Sequence, residues 1–255
     1  MPGVRPPVGI GETFERLGAK CVLLICGNKG KEARGVDQLC VGLNAGIDGG
    51  IHAVKRLWQE HSHQEKWGFL LVDACNAFNE GNRMWTLWMI CHEWASGPQF
   101  VFNCYRHFVI LVLHTGSDLF LTILSKEGVT QDDLLAIVMY GVGLLPLICI
   151  LLKAVSEMHQ PWYADDAGAG RHFPKIKLCF EKLQEYTPPR NTVPQGNISL
   201  RLFKNILSVQ EHNIEKAEAC FKVFILKVMT GSHYLGGFIG GKAEQREWDE
   251  EKALA

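Results

Sequence analysis

The sequence predicts an α+β fold: a mainly antiparallel sheet backed by helices on one face. Three observations point there. Of the 255 residues, 47% are hydrophobic and 21% charged, a balance that belongs to folded chains. Short apolar runs ending on acids, glycines or turn residues read as strands, and several pair as hairpins. Amphipathic stretches of helical period separate them, in the order strand, helix, hairpin, helix, hairpin, helix, strand, helix, strand.

Residues 12–27 carry Phe14, Leu17, Val22 and Leu23 at roughly helical spacing, so a helix is expected, followed by a loop bearing Gly27, Lys29, Gly30 and Gly35. Residues 37–62 read as a second helix or helix pair. "WGFLLVDA", 67–74, is an apolar run with its acid at the exit, the pattern of a buried strand. Asn76 or Asn79 is expected to cap the helix in "EGNRMWTLWMICHEW". "FVILVLH" and "LFLTIL", separated by "TGSD", predict a hairpin. "QPWYADDAGAG" reads as strand, turn, strand, and "FPKIKLCFEKLQEY" as an amphipathic helix closed by Pro188 and Pro189. "LFKNILSV" is a strand, "NIEKAEACF" a helix and "GSHYLGGFIG" a glycine-rich hairpin. The charged tail from Gly241 is expected to fray.

The net charge of −1 hides an asymmetry. Asp73 to Asp166 holds ten acidic and four basic residues, and Arg171 to Lys227 holds ten basic and five acidic ones. An acidic centre beside a basic flank suits a cation site next to a polyanion. Nine cysteines without a CxxC pair, and a start without an apolar signal core, predict reduced thiols and a cytoplasmic or nuclear location. His61 and His63, near Glu60 and Glu65, read as a polar helix end. Leu134 to Leu152 is nineteen residues without a charge, long enough for a membrane span and equally suited to a core helix.

Three acids stand out by setting. Asp73 ends one apolar strand, and Asp165 and Asp166 sit at the turn of another. Crowded carboxylates stay ionised only beside a cation, and hard oxygen donors favour magnesium or manganese, which borrows phosphate oxygens to complete its shell. Two such ions suit phosphoryl transfer.

"WGFLLVDACNAFNEGNR", "SKEGVTQDDLLAIVMYGVGLLPLI", "PWYADDAGAG", "LFKNILSV" and "SHYLGGFIG" follow the order and approximate spacing of the palm motifs of reverse transcriptases. The chain therefore resembles an RNA-directed DNA polymerase domain of the retrotransposon type, from about Arg5 to Gly240. "RPPVGIGETFERLGAK" is similar to the family's fingers segment. The resemblance implies a fingers-like segment over 1–66, a palm over 67–240 and a tail over 241–255, with partial fingers and no complete thumb. It implies Asp73, Asp165 and Asp166 as catalytic metal ligands for Mg²⁺ or Mn²⁺. Phe78 would exclude a ribose 2′-hydroxyl, and Gln131, Lys204, Arg5 and Lys20 would approach the deoxynucleoside triphosphate. Leu235, Gly236 and Gly237 would grip the primer end. An RNA template and a DNA primer are the implied partners, with no membrane: in the family the helix after the glutamine loop is buried in the palm.

The chain departs from the family at Gln131-Asp132-Asp133-Leu134, where relatives read Gln-Gly-Asp-Pro, and in the rewritten approach "TPPRNTVPQGNISLRLFK". A degenerate or truncated copy is thus expected, and its activity stays open. Two alternatives stand beside it: a catalytically dead nucleic-acid-binding protein that keeps the palm, and a small membrane protein built on residues 134–152.

Overall fold

The computed structural model describes residues 12–33, 35–39, 45–74, 76–114, 120–130, 133–186 and 202–254. In chain order the helices and strands begin with α1 (Thr13–Ala33), α2 (Gly46–His61), β1 (Trp67–Ala74), α3 (Ala77–Glu80), α4 (Arg83–Glu93) and α5 (Pro98–Tyr105). Then follow β2 (Val109–His114), β3 (Phe120–Ser125), α6 (Ala136–Ala154), β4 (Trp162–Tyr163), β5 (Asp166–His172) and α7 (Phe173–Glu185). The chain continues through β6 (Leu202–Ser208), α8 (Ile214–Phe221), β7 (Lys227–Met229), β8 (Gly231–Tyr234), β9 (Gly237–Gly240) and α9 (Lys242–Leu254). These residues fall into two compact units, and the partition runs through α6 between Leu147 and Ile148.

The first unit draws on residues up to Val36 and on Asn76–Leu147. Its core gathers Trp94, Tyr105, Ile90, Leu135 and Met139, each essentially inaccessible to solvent. Helix α1 runs on through Gly27 and Gly30 instead of breaking into the expected loop. The reason is tertiary: a Cβ on Gly30 would lie 3.0 Å from the Trp94 ring, so glycine here lets α1 approach that indole. The Trp94 Nε1–H donates to the Cys26 carbonyl at 3.2 Å. Asn82, not Asn76 or Asn79, caps α4, its side chain accepting from Trp85 N–H at 2.9 Å. Strands β2 and β3 pair antiparallel from Val109–Ser125 to His114–Phe120, as expected; the "TGSD" turn lies outside the described residues.

Arg83 is the polar hub of this unit, only 3% exposed. Its guanidinium donates to the carbonyls of Gly128 (2.7 Å), His107 (3.1 Å), Ser125 (2.9 Å) and Glu127 (2.8 Å), and to the Ser125 hydroxyl (2.8 Å). It thereby ties the base of the β2–β3 hairpin to the start of α4. Helix α6 is long and apolar enough to cross a membrane by length and composition, and most of it, including Val138, Met139, Val142, Leu147, Ile148 and Leu151, is buried inside the protein.

The second unit draws on Asp37–Cys75, Ile148–Thr187 and Leu202–Ala255. It holds a five-stranded sheet in the order β4-β5-β1-β6-β7, antiparallel except for the β6–β7 pair, and a separate β8–β9 hairpin. Alternation along β1 sends Trp67, Phe69 and Leu71 to one face, where Val54 and Trp58 of α2 meet Tyr234 and Ile239 of the hairpin. Gly68, Leu70 and Val72 take the other face, where a Cβ on Gly68 would touch Leu207, Val209 and Phe173 at the start of α7. The sheet is thus covered on both faces. This corrects the expectation of helices on one face only, and follows from β1 being apolar at nearly every position.

Phe69 lies across β5, where a Cβ on Gly168 would sit 2.6 Å from its ring and one on Gly170 2.9 Å away. The "AGAG" run therefore makes room for a neighbouring aromatic ring. Two further elements differ from expectation. Strand β7, too short to leave a pattern, pairs parallel with β6 from Ile206–Lys227 to Ser208–Met229. The charged tail forms α9, anchored where Trp248 stacks on Phe238 (6.0 Å between centroids) and donates to His233 Nδ1 at 3.2 Å.

Candidate active site

The three expected acids come together at one end of the sheet in the second unit. Asp73, the next-to-last residue of β1, is directly opposite Asp166, the first residue of β5. Directly opposed residues share a face, with Cβ atoms about 5 Å apart. On the other side of β1 the partner of Asp73 is Lys204, so the backbone register sets Asp166, Asp73 and Lys204 in one row across β5, β1 and β6. Immediately after that row the β1–β6 register slips, Ala74 pairing with Leu202. Such a bulge bends the strand beside the acids.

Asp165 sits in the two-residue turn joining β4 to β5. Tyr163 pairs with Asp166 across it, and Ala164 takes a left-handed conformation at φ 51°. The Asp165 carbonyl accepts from Ala74 N–H at 3.3 Å, which ties the turn to the end of β1. All three carboxylates are partly exposed. Burial raises the Asp165 pKa above the usual carboxylate value, and the neighbouring Asp73 charge raises it further.

Two residues that the sequence reading passed over support this geometry. Gln38 is fully buried, and its Oε1 accepts from Ala164 N–H at 2.9 Å while its Nε2 reaches the Ala164 carbonyl at 3.5 Å. The flanking backbone runs alongside β4: Leu39 N–H donates to Trp162 O (2.7 Å), and Trp162 N–H donates to Asp37 O (3.0 Å). Tyr234 packs edge-on against Phe69 and donates its hydroxyl to the Pro161 carbonyl at 3.3 Å. Burial raises its phenol pKa and the Asp166 charge adds to the effect, so Tyr234 stays protonated beside the acids. Gln38, between Asp37 and Leu39, gave no local signal; only the turn that it clamps reveals it.

The hairpin residues Leu235 and Gly236 form the β8–β9 turn, both with positive φ (50° and 78°), and Gly237 opens β9 with its Cα close to Ile51 of α2. Positive φ at both central positions marks a type I′ turn, whose twist matches the strands it joins.

Two of the remaining expected contacts belong to the first unit. Phe78 lies on α3 in the first unit, its ring 4.8 Å from that of Tyr140, and Lys20 lies on α1 in the same unit. Arg5 and Gln131 lie outside the described residues, as does the side chain of Lys204. The flanks of Gln131 are fixed within the first unit. Asp133 accepts from the Tyr105 hydroxyl and from Leu135 N–H (2.9 Å), and Thr130 N–H reaches the same hydroxyl at 3.4 Å. Glu60 and Glu65, beside His61 and His63, pair with Arg56 (2.8 Å) and Lys216 (3.0 Å).

The donors at the sheet end are hard carboxylate oxygens, the donor type that magnesium or manganese takes together with water and phosphate. Among the described residues no three or more His, Cys, Asp or Glu side chains are grouped so that they could hold a metal ion.

No family model matches the chain, and no curated protein matches it. Among solved structures it is similar to apo telomerase from Candida tropicalis truncated from its C-terminal domain, at 12% identity and TM-score 0.49, over 65% of this chain and 36% of that one. It is also similar to telomerase from Candida albicans in complex with a fragment of telomeric RNA, at 10% identity and TM-score 0.42, over 67% of this chain. The chain spans 36% and 31% of the lengths of those two proteins.

Proposed function

We propose that the chain is a reverse-transcriptase-like palm domain that directs DNA synthesis on an RNA template. The observation that supports this reading is the opposition of Asp73 to Asp166, with Asp165 one residue away in the turn. Strand ends that meet from distant parts of the sequence hold carboxylates in fixed relation, which a single flexible loop does not.

In this reading Asp73 and Asp165 hold the divalent ions, and Asp166 lies beside them. Bound magnesium or manganese supplies activation of a primer 3′-hydroxyl and stabilisation of the charge that builds on the leaving pyrophosphate. The chain's own residues do the rest. Tyr234 stays neutral beside the carboxylates, so the phenol adds no repulsion. Lys204 belongs to the same backbone row and is assigned to the triphosphate. Phe78 is assigned to excluding a 2′-hydroxyl, and Gln131, Arg5 and Lys20 to the nucleotide. Leu235, Gly236 and Gly237 are assigned to the primer end.

A retrotransposon origin is part of this proposal and rests on the motif series. A second reading is favoured by one observation: Asp132 stands where reverse transcriptases have glycine, adding a carboxylate to the sequence of the loop assigned to the nucleotide. On that reading the palm binds nucleic acid without extending it. Extension of a DNA primer on an RNA template, in magnesium and in manganese, separates the two. Incorporation that is lost in Asp73→Asn supports the polymerase. Template–primer binding that survives Asp165→Asn, with no extension by the parent chain, supports the binding protein.

A further inference from the structure

The acid turn contains a feature that its own residues do not explain. Ala164 is held at φ 51°, a region that a side chain bearing a Cβ disfavours by roughly 1–2 kcal/mol. Tyr163 and Asp166 are paired across the turn, so the conformation of Ala164 decides where Asp165 lies relative to Asp73. Something must hold the alanine there. The polar groups of its peptide units meet one side chain: Gln38, fully buried, accepts from Ala164 N–H at 2.9 Å and reaches Ala164 O at 3.5 Å. Gln38 is itself fixed by the backbone pairing of Asp37 and Leu39 with Trp162. It therefore cannot follow the turn if the turn relaxes.

We propose that Gln38 is the positioning residue of the acid turn: it clamps Ala164 in the left-handed conformation and so sets Asp165 and Asp166 against Asp73. This rests on the reading of those acids as the metal site. Gln38 touches no reacting group in this scheme and acts only through Ala164. A buried glutamine that merely filled space would be replaceable by leucine at similar volume, and the clamp would not depend on which residue occupies position 164.

The test uses the full chain and four forms: the parent, Gln38→Leu, Ala164→Gly, and both together. Amide hydrogen exchange at position 164 reads the clamp, Mn²⁺ binding followed by electron paramagnetic resonance reads the site, and the thermal midpoint confirms folding. Gln38→Leu is expected to speed exchange at Ala164 and to weaken Mn²⁺ binding by about tenfold, the population ratio that the left-handed penalty implies. Adding Ala164→Gly is expected to recover most of that affinity, because glycine reaches positive φ unaided. Gln38→Glu, which keeps the acceptor and loses the donor, is expected to fall between and serves if Gln38→Leu does not fold. Unchanged Mn²⁺ affinity in Gln38→Leu overturns the proposal, and so does a loss that Ala164→Gly fails to recover. A parent chain that binds no Mn²⁺ ends the metal reading instead. Exchange then decides the clamp alone, and unchanged protection at Ala164 in Gln38→Leu overturns it.

Discussion

Asp73 and Asp166 face each other across the β1–β5 ladder, the last residue pair in that register. Asp165 follows in the turn, close enough for the Asp73 charge to raise its pKa beyond what burial does. Burial and the Asp73 charge together make ionisation of Asp165 a cost to the fold. That cost can be read out directly.

Asp165→Asn is expected to stabilise the protein at neutral pH. A carboxyl whose folded pKa is raised binds its proton more tightly folded than unfolded, so stability is full below the ordinary Asp range and falls as pH rises through the raised value. Above that value the parent carries the full penalty and the asparagine variant carries none. The thermal midpoint of Asp165→Asn should exceed that of the parent at pH 7 and converge with it below the ordinary Asp pKa. A variant no more stable than the parent at pH 7 would show that the carboxylate is already compensated. Magnesium should narrow the gap by stabilising the parent.

Asp73→Asn removes the charge that acts on Asp165 and one donor of the proposed site. The Asp165 carboxyl should then titrate lower, followed by carbon-13 NMR of selectively labelled aspartate. Primer extension, where the parent supports it, should fall at least about a hundredfold, the scale on which losing a principal electrostatic contact slows a reaction. A downward shift without loss of extension would separate the electrostatics from the chemistry.

Gly168 is held small by the Phe69 ring, since a Cβ there would lie 2.6 Å from it. Gly168→Ala should destabilise the sheet by about 1–3 kcal/mol, the usual cost of overpacking. Urea denaturation measures it. Phe69→Leu shortens the side chain that collides, so the double variant should be more stable than the sum of the single losses. Strict additivity would mean that the ring moves aside freely.

Arg83 gives the first unit its own test. Arg83→Met leaves four carbonyls and a hydroxyl without their donor in a closed environment, and should cost about 3 kcal/mol or more by denaturant titration. Arg83→Lys should recover little, because one ammonium cannot reproduce the planar fork.

These features were unequally legible in the sequence. β1, β5 and β6 announce themselves because each is a short apolar or small-residue run with a polar exit, and "YADD" between two such runs leaves a turn as its natural conformation. The rest depended on distant partners. Gly27 and Gly30 look like a loop until Trp94 supplies the reason for glycine within a helix. Asn82 caps α4 in competition with two other asparagines, and nothing local ranks them. The tail is charged enough to fray, yet Trp248, stacked on Phe238 and bonded to His233, anchors it. Gln38 lies so far from Asp165 in sequence that only the folded turn shows its purpose.

The loop around Gln131 carries the sharpest expectation about activity. Its flanks are pinned: Asp133 to Tyr105 and Leu135, Gly128 to Arg83, and Thr130 to Tyr105. Asp132→Gly with Leu134→Pro restores the reverse-transcriptase pattern at two positions between Thr130 and Leu135. A carboxylate about 4 Å from a phosphate costs about 1 kcal/mol in water and about 4 kcal/mol at an effective dielectric constant near 20. Removing it should raise nucleotide incorporation by roughly tenfold to a thousandfold, and proline should add rigidity by fixing φ ahead of α6. Primer extension on an RNA template is the measurement, with Asp165→Asn added to the restored chain as the control. Activity that appears in the restored chain and disappears with Asp165→Asn would place both the defect and the metal site. No gain, with template–primer binding intact, would move the defect out of this loop and towards the acids themselves.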